Sequence, residues 1–270
     1  MIELNQDPKK TTPDHFRKKG PVVVWLFMLS YWALTSFLAG RASSASQLPS
    51  VFTASMWLTL IADQLLEYAP ILLFLFAFVW VYEKRERGGG ISSLFSSVGW
   101  SRNGIGKSLK WALIFLLILV PISLILSGVE SSVAAGTGSN STQPATTSIP
   151  LASLIIMVVS AFATAVTEET AVRGYILDRL MPGHPSTLRL SLNAVIIASA
   201  MQMSYHAAPY LNTYGYSLPV TMMSLLSVFV YSIFLSFAYV RSRVRNASGP
   251  VLFHFLLDAG FYIVLFALVG

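Results

Sequence analysis

Long apolar runs recur along the chain from Pro21 to the last residue, separated by short polar segments. Most runs have about 17 to 24 residues, and a helix of about 20 residues crosses the hydrocarbon core of a bilayer. We predict seven spans: Pro21 to Ala39, Leu65 to Tyr82, Trp111 to Leu126, Pro150 to Leu180, Leu190 to His206, Leu218 to Val240 and Gly249 to Val269. An apolar stretch before the second span predicts a long, tilted helix there or a kink at Pro70. The pattern therefore predicts an all-α fold, a polytopic transmembrane bundle of about seven spans.

Composition agrees with this pattern. Hydrophobic residues make up 54% of the chain and charged residues 11%, against roughly 25% charged residues in an average soluble domain. The net charge is +6, but the basic residues flank apolar runs and form no patch with interleaved aromatic residues. We therefore expect membrane lipid, and no nucleic acid, as a partner. The absence of Cys excludes disulfides, a thiolate nucleophile and a Cys-ligated zinc ion.

The distribution of Lys and Arg predicts the orientation. With a cytoplasmic N-terminus, seventeen of the eighteen basic residues lie in cytoplasmic segments and only Arg41 lies outside. The segment from Ser127 to Thr147, rich in Ser, Thr, Gly and Ala, is then predicted to be an external loop. A multi-pass protein of this kind is expected in the plasma membrane of a prokaryote or an endomembrane of a eukaryote.

Six ionisable residues lie inside or at the edge of the last four predicted spans: Glu168, Glu169, Arg173, His206, His254 and Asp258. A charge at the centre of a bilayer costs at least several kcal/mol, so such residues usually face the interior of the bundle. They are therefore candidates for function.

The first three of these residues share one helix. Glu169 and Arg173 stand at i and i+4, where they can pair, which leaves Glu168 the less neutralised carboxylate. A carboxylate held out of water is a candidate general base. The alternative is a helix end solvated by headgroups, with Glu169 and Arg173 as an ordinary surface pair.

His254 and Asp258 also stand at i and i+4. Asp258 can hold one ring nitrogen of His254 and so fix which nitrogen faces a site. Alternatively, the pair only locks the last span onto its neighbours through a buried hydrogen bond. His206, at the far end of the fifth run, is by itself typical of an interfacial His.

These residues form three motifs in order: Glu-Glu-x3-Arg at residues 168–173, a His at 206, and His-x3-Asp at residues 254–258. The set resembles the type II CAAX prenyl endopeptidase and bacteriocin-processing family, also called the abortive infection family, over about residues 150–268. The family's second motif is usually Phe-x3-His, and Gln202 stands here at the Phe position. The apolar pattern and the resemblance together divide the chain into a cytoplasmic N-terminal tail (1–20), N-terminal membrane helices (21–126), an external loop (127–149) and a catalytic part (150–270).

The resemblance implies a metal-independent intramembrane endopeptidase without a cofactor, whose polar chamber opens to the cytoplasm. Its substrate would be a peptide or protein, possibly lipidated. The implied roles are Glu168 as general base with His206 assisting, Glu169 and Arg173 in support, and His254 with Asp258 facing the oxyanion. Three alternatives stay open: a metalloprotease using the same residues, a non-catalytic scaffold or immunity protein, which Gln202 favours, and a proton- or cation-coupled transporter.

Two geometric questions follow from the sequence. On straight helices counted from their shared cytoplasmic hairpin, Glu168 lies about 18 Å deep and His206 about 24 to 30 Å deep. A tilt or a helix break is needed to bring them together. Asp258 can stabilise an oxyanion directly when protonated, or it can be ionised and orient His254. The family's acceptance of Asn at this position favours the direct donor.

Overall fold

The computed structural model describes residues 14–42, 54–84, 91–136, 151–181, 188–213 and 217–269. Every regular element in these ranges is a helix, which confirms the all-α prediction. We number the helices α1 (Asp14–Ala42), α2 (Ala54–Phe78), α3 (Ile91–Ser97), α4 (Ile105–Gly136), α5 (Leu151–Glu169), α6 (Leu188–Tyr205), α7 (Ala207–Thr213), α8 (Leu218–Ser242) and α9 (Ser248–Val269).

Four helical segments of the described residues are long and apolar enough to cross a membrane: Lys19–Leu38, Ile105–Gly136, Leu154–Leu180 and Leu218–Ser242. A shorter apolar helix covers Leu66–Tyr82. Each coincides with a predicted span, whereas the total of about seven spans and the side of the N-terminus remain predictions. Helix α4 continues to Gly136, ten residues beyond the predicted span, and the rest of the predicted loop lies outside the described residues.

Helix α5 does not end at Glu169. It continues as a π-helical segment, Thr170–Leu177, and then as a single α-helical turn, Asp178–Leu180. This agrees with the expectation that the fourth apolar run stays helical to about Leu180. All eight residues of the π-helical segment are buried. Because π-helical turns inside α-helices are frequent at functional sites, this segment makes the region around Glu168 a candidate site.

The helices that carry the six candidate residues pack on one another. Helix α9 packs against α5 and α4, and α8 packs against α4 and α6. Apolar side chains from α1, α2, the π-helical segment and α6 form one core, which includes Met28, Leu75, Val172 and Ala198. A second core joins α4, α8 and α9. The polar candidates thus lie on α5, on its π-helical continuation, at the end of α6 and on α9, where these elements pack together.

The linker between α3 and α4, residues 98–104, folds back against the bundle. The backbone N–H of Ala247 donates to the carbonyl of Gly99 at 2.8 Å, and the side-chain amide of Asn246 donates to the carbonyl of Asn103 at 3.1 Å. A Cβ at Gly174 would lie 2.0 Å from the carbonyl oxygen of Val98. Only glycine at position 174 therefore lets this linker pack directly on the π-helical segment.

Candidate active site

Glu168 is buried in α5 with 2% of its surface exposed. Its Oε2 accepts hydrogen bonds from Nε2 of Gln202 at 2.8 Å and from the hydroxyl of Tyr205 at 2.9 Å. Its Oε1 lies 3.5 Å from Nε2 of His206. One carboxylate oxygen is therefore fixed by two donors, while the other faces a histidine.

His206 occupies the turn between α6 and α7. Gln202 and Tyr205, on the unbroken part of α6, also contact Glu168, so the end of α6 lies at the depth of this carboxylate. The Nδ1 atom of His206 lies 2.9 Å from the backbone carbonyl of Gln202. A carbonyl only accepts, so Nδ1 carries the proton in a neutral ring, and Nε2 then presents its lone pair toward Glu168.

Arg173 is fully buried in the π-helical segment and joins three helices. Its Nη1 donates to Oε1 of Glu169 at 3.0 Å and also to Oε1 of Gln202. Its Nη2 donates to the backbone carbonyl of Ser232 at 2.8 Å and to the Ser232 hydroxyl at 2.7 Å. Glu169 and Arg173 are both completely buried. The solvated surface pair that the sequence left open is therefore not what the chain forms.

Gln202 stands at the centre of these contacts. Its amide nitrogen donates to Glu168, its amide oxygen accepts from Arg173, and its backbone carbonyl faces Nδ1 of His206. The residue that departs from the family motif thus connects two of the other motifs. A Phe side chain at this position can make neither amide contact.

His254 lies between two carboxylates. Its Nδ1 is 2.9 Å from Oε1 of Glu169, and its Nε2 is 3.3 Å from Oδ2 of Asp258. Asp258 is the more open partner, with 38% of its side chain exposed. The i, i+4 contact expected from the sequence is present, and the contact to Glu169 attaches α9 to α5.

All six sequence-predicted residues therefore lie in one region of hydrogen-bonding and ionic contacts. Sequence reasoning missed two further members, Tyr205 and Ser232. It treated Gln202 only as a departure from the Phe-x3-His motif of the family. Ser232 belongs to a series of small polar residues within the apolar helix α8, and such residues often make contacts between helices in membrane proteins. That series was the available signal for Ser232. Tyr205 had no signal beyond its position next to His206.

A cavity of about 410 Å³ lies beside these residues. The lining residues are Tyr68, Glu130, Ser160, Ala161, Thr164, Glu168, Gln202, His206, Tyr210, Ser224, Ser227, Val228, Tyr231, Ser232, Leu235, His254, Leu257 and Asp258. Glu130 is a third acidic residue that the sequence did not single out, and it accepts a hydrogen bond from Ser224. The cavity thus brings Glu168, His206, His254 and Asp258 to a common space.

Long apolar helices that bring three carboxylates, an arginine and two histidines together beside a cavity define a polytopic membrane protein with a candidate hydrolytic site. Residues 150–260 match the family described as type II CAAX prenyl endopeptidase, Rce1-like. This match supports the resemblance drawn from the three motifs over this part of the chain. No curated protein and no solved structure shows a significant match to the chain.

The family match and the apolar helices together support an integral membrane protein. The family supports a CAAX-type endopeptidase function in general and implies a protein or peptide substrate.

Proposed function

We propose that this protein is an intramembrane endopeptidase in which Glu168 and His206 together activate a water molecule. The observation that carries the proposal is the placement of Oε1 of Glu168 at 3.5 Å from Nε2 of His206 in the wall of the cavity. The other oxygen of Glu168 is held by Gln202 and Tyr205. The carboxylate is therefore oriented with one acceptor directed at the reaction space.

A water molecule has two hydrogens, and the site offers two acceptors for them. In the neutral tautomer set by the Gln202 carbonyl, Nε2 of His206 is an acceptor, as is Oε1 of Glu168. A water that donates to both turns its lone pairs away from them and toward a peptide carbonyl. General-base catalysis of this kind contributes about 10²- to 10⁴-fold in rate.

The proposed reaction is a simple hydrolysis. Glu168 takes one proton from the water, and the oxygen forms a bond to the carbonyl carbon, which gives a tetrahedral oxyanion. The C–N bond then breaks, and the proton held by Glu168 goes to the departing amine. The new carboxyl group then gives the second hydrogen of the water to the amine, so the products are a carboxylate and an ammonium terminus.

His254 is proposed to stabilise the oxyanion. Both its ring nitrogens face carboxylate oxygens, which only accept, so the ring satisfies both contacts when each nitrogen carries a proton. Its Nε2–H lies at the cavity wall, where a peptide oxygen can share it. Asp258 then acts through His254, and the 3.3 Å contact between them supports this orienting role over the direct donation favoured by the sequence.

Glu169 and Arg173 are proposed to hold the site together. Oε1 of Glu169 receives both Nη1 of Arg173 and Nδ1 of His254, so this carboxylate positions the proposed oxyanion donor. Arg173 in turn holds Gln202, which holds Glu168.

A non-catalytic scaffold is the second candidate, because Gln202 departs from the family motif. The contacts of Gln202 weigh against a scaffold. Its amide donates to Oε2 of Glu168 and leaves Oε1 of the same carboxylate facing His206.

The two candidates are separated by Glu168→Gln, whose amide oxygen still accepts from Gln202 and Tyr205 but cannot act as a base. Quantitative proteomics of membranes from cells that carry only the variant should show precursor proteins that accumulate and that are processed in wild-type cells. A membrane proteome that is unchanged by the variant would favour the scaffold.

A further inference from the structure

The start of α4 and the end of α8 lie side by side. Arg241, near the end of α8, stacks on the indole of Trp111 in the second turn of α4, with 5.1 Å between the guanidinium carbon and the ring centroid. Further out, a Cβ at Gly104, just before α4, would lie 2.5 Å from Cβ of Val244, just after α8. The two helices are therefore antiparallel here, and the first turn of α4 lies beside the residues that end α8.

Four exposed cationic side chains lie at this junction, and we call them the basic cluster: Lys107, Lys110, Arg241 and Arg243. Lys107 stands four residues before Trp111 and so lies on the same face of α4, next to the stacked Arg241. Among the described residues, no carboxylate pairs with any member of the cluster. The cluster therefore presents positive charge to its surroundings.

Asp178 is the carboxylate that forms ion pairs nearby, and its two oxygens are engaged by other residues. Its Oδ2 pairs with Nη1 of Arg179 at 2.8 Å, and its Oδ1 pairs with Nη1 of Arg245 at 3.4 Å. The like charges of the basic cluster repel one another at this short range. A bound anion would relieve that repulsion.

The backbone at Arg243 is in the left-handed region, with φ 57° and ψ 9°. This residue ends α8, and its N–H donates to the carbonyl of Val240 at 3.2 Å. Glycine is the usual residue in such a position, because it has no Cβ to strain the conformation. Strained residues of this kind cluster at ligand-binding and active sites. The arginine at the end of α8 is therefore a candidate for binding.

The position of the junction points to a membrane surface. Both helices are long and apolar enough to cross a membrane, over Ile105–Gly136 and Leu218–Ser242. The adjacent ends of two spanning helices lie where the hydrocarbon stops. Trp is enriched at this level of the membrane, where its amphipathic ring meets the headgroups, and Trp111 occupies that place.

An exposed apolar stripe begins at the basic cluster. Lys110, Leu113 and Leu117 stand at i, i+3 and i+7 of α4 and share one face of the helix. Leu113 is 46% exposed and Leu117 is 75% exposed. At a rise of about 1.5 Å per residue, the stripe extends about 10 Å inward from Lys110. Charge at the membrane surface followed by apolar contact below it matches the order of groups in an anionic phospholipid.

We propose that the basic cluster binds the phosphate headgroup of an anionic phospholipid, whose acyl chains lie along Leu113 and Leu117. Lys and Arg form charge-assisted hydrogen bonds with phosphate oxygens, and clusters of basic residues next to a spanning helix attract anionic lipids. The headgroup contacts both α4 and α8, so the bound lipid joins the two helices. This proposal does not rest on the proposed hydrolysis.

The test measures lipid binding to the purified full-length protein in detergent by native mass spectrometry. Phosphatidylglycerol is compared with phosphatidylcholine of the same acyl chains. Lys107→Gln and Arg243→Gln each remove one charge of the cluster, whereas Arg243→Lys keeps the charge. The matched control is Lys19→Gln, which removes one exposed charge from α1, a helix that packs against α2, α6 and the π-helical segment.

We expect the wild-type protein to bind phosphatidylglycerol in preference to phosphatidylcholine. Lys107→Gln and Arg243→Gln should each raise the Kd for phosphatidylglycerol about fivefold, the effect of about 1 kcal/mol for one basic residue at a membrane surface. Arg243→Lys should retain most of the binding, and Lys19→Gln should bind as the wild type does. Thermal unfolding in phosphatidylcholine micelles confirms that each variant is folded. If Arg243→Gln does not fold, Lys107→Gln carries the test, since it lies in a regular helical turn.

Three results would overturn the proposal. Equal binding of the two lipids by the wild type would remove the headgroup preference. Equal weakening by Lys19→Gln would show that overall charge, and not the cluster, attracts the lipid. Displacement of phosphatidylglycerol by inorganic phosphate at the same concentration would assign the cluster to a free anion. All three readouts are independent of hydrolysis, so an inactive protein with the expected binding would refute only the proposed function.

Discussion

At the scale of single residues, Gln202 shows how one side chain can connect three motifs. Its amide joins Arg173 to Glu168, and its backbone carbonyl sets the tautomer of His206. We interpret it as a positioning residue, because it acts on the proposed base and does not need to touch the substrate.

Gln202→Leu removes both amide contacts with little change in volume. We expect kcat to fall about tenfold or more with KM nearly unchanged, since a displaced base affects the transition state and not substrate binding. Asn193→Leu, on an exposed face of the same helix, is the matched control and should leave both constants unchanged. Wild-type kcat in Gln202→Leu would show that the bridge has no role in placing Glu168.

Asp258 gives a second prediction at this scale. Asp258→Asn should keep activity within about tenfold of wild type, because the amide oxygen still accepts from Nε2 of His254. Asp258→Ala should lose on the order of a hundredfold, the usual effect of disabling one oxyanion donor. Kinetics of the two variants against one peptide decide this. Equal damage from Asn and Ala would mean that the negative charge of Asp258 is required to keep His254 charged.

Sequence reasoning identified the six ionisable residues because ionisable groups in apolar runs are costly and stand out. It could not interpret Gln202, because the partners of this residue lie on two different helices that are distant in the sequence. The same reason hid Ser232, whose contact with Arg173 spans 59 positions. Neutral polar residues reveal their function only when their partners are known.

At the scale of elements, the π-helical segment carries Arg173 to the point where α5, α6 and α8 meet. Without Arg173, the buried carboxylate of Glu169 has no arginine partner. Gln202 and Ser232 each lose a hydrogen bond.

We expect Arg173→Ala to destabilise the protein by about 3 to 5 kcal/mol, the range for breaking one side of a buried ion pair. Thermal unfolding in detergent, monitored by loss of soluble monomer, measures this. Arg102→Ala, at an exposed position, should change stability little. If both variants unfold at the same temperature, the network of Arg173 does not hold the bundle together.

The positions of the helices were predictable because an apolar run long enough to cross a bilayer can satisfy its backbone hydrogen bonds there in few ways other than as a helix. The sequence called for a tilt or a helix break but did not place the break at His206, although Pro209 in the first turn of α7 is the kind of residue that begins a new helix. The π-helical segment also gave no signal in the sequence, since it continues the same apolar pattern as α5.

At the scale of the whole molecule, the proposed hydrolysis needs no metal ion, and this separates it from the reaction of a metalloprotease. No group of three His, Asp or Glu side chains within the described ranges is placed to share one ion.

We predict that purified protein keeps its hydrolytic activity after exhaustive chelation, because Glu168 and His206 activate water and His254 binds the oxyanion without an ion. The measurement is the rate of peptide cleavage before and after treatment with a strong chelator, followed by dialysis. Loss of activity that only zinc restores would assign the protein to the metalloproteases.

The central claim is that Glu168 is the base of a peptide hydrolysis inside the membrane. Its most direct test uses purified protein in lipid vesicles, supplied with a precursor that accumulates in Glu168→Gln cells. Mass spectrometry then identifies the new termini over time. We predict that wild-type protein produces one defined pair of termini, with ¹⁸O from labelled water in the new carboxylate, and that equally folded Glu168→Gln produces none. Cleavage by Glu168→Gln at the wild-type rate would contradict the account.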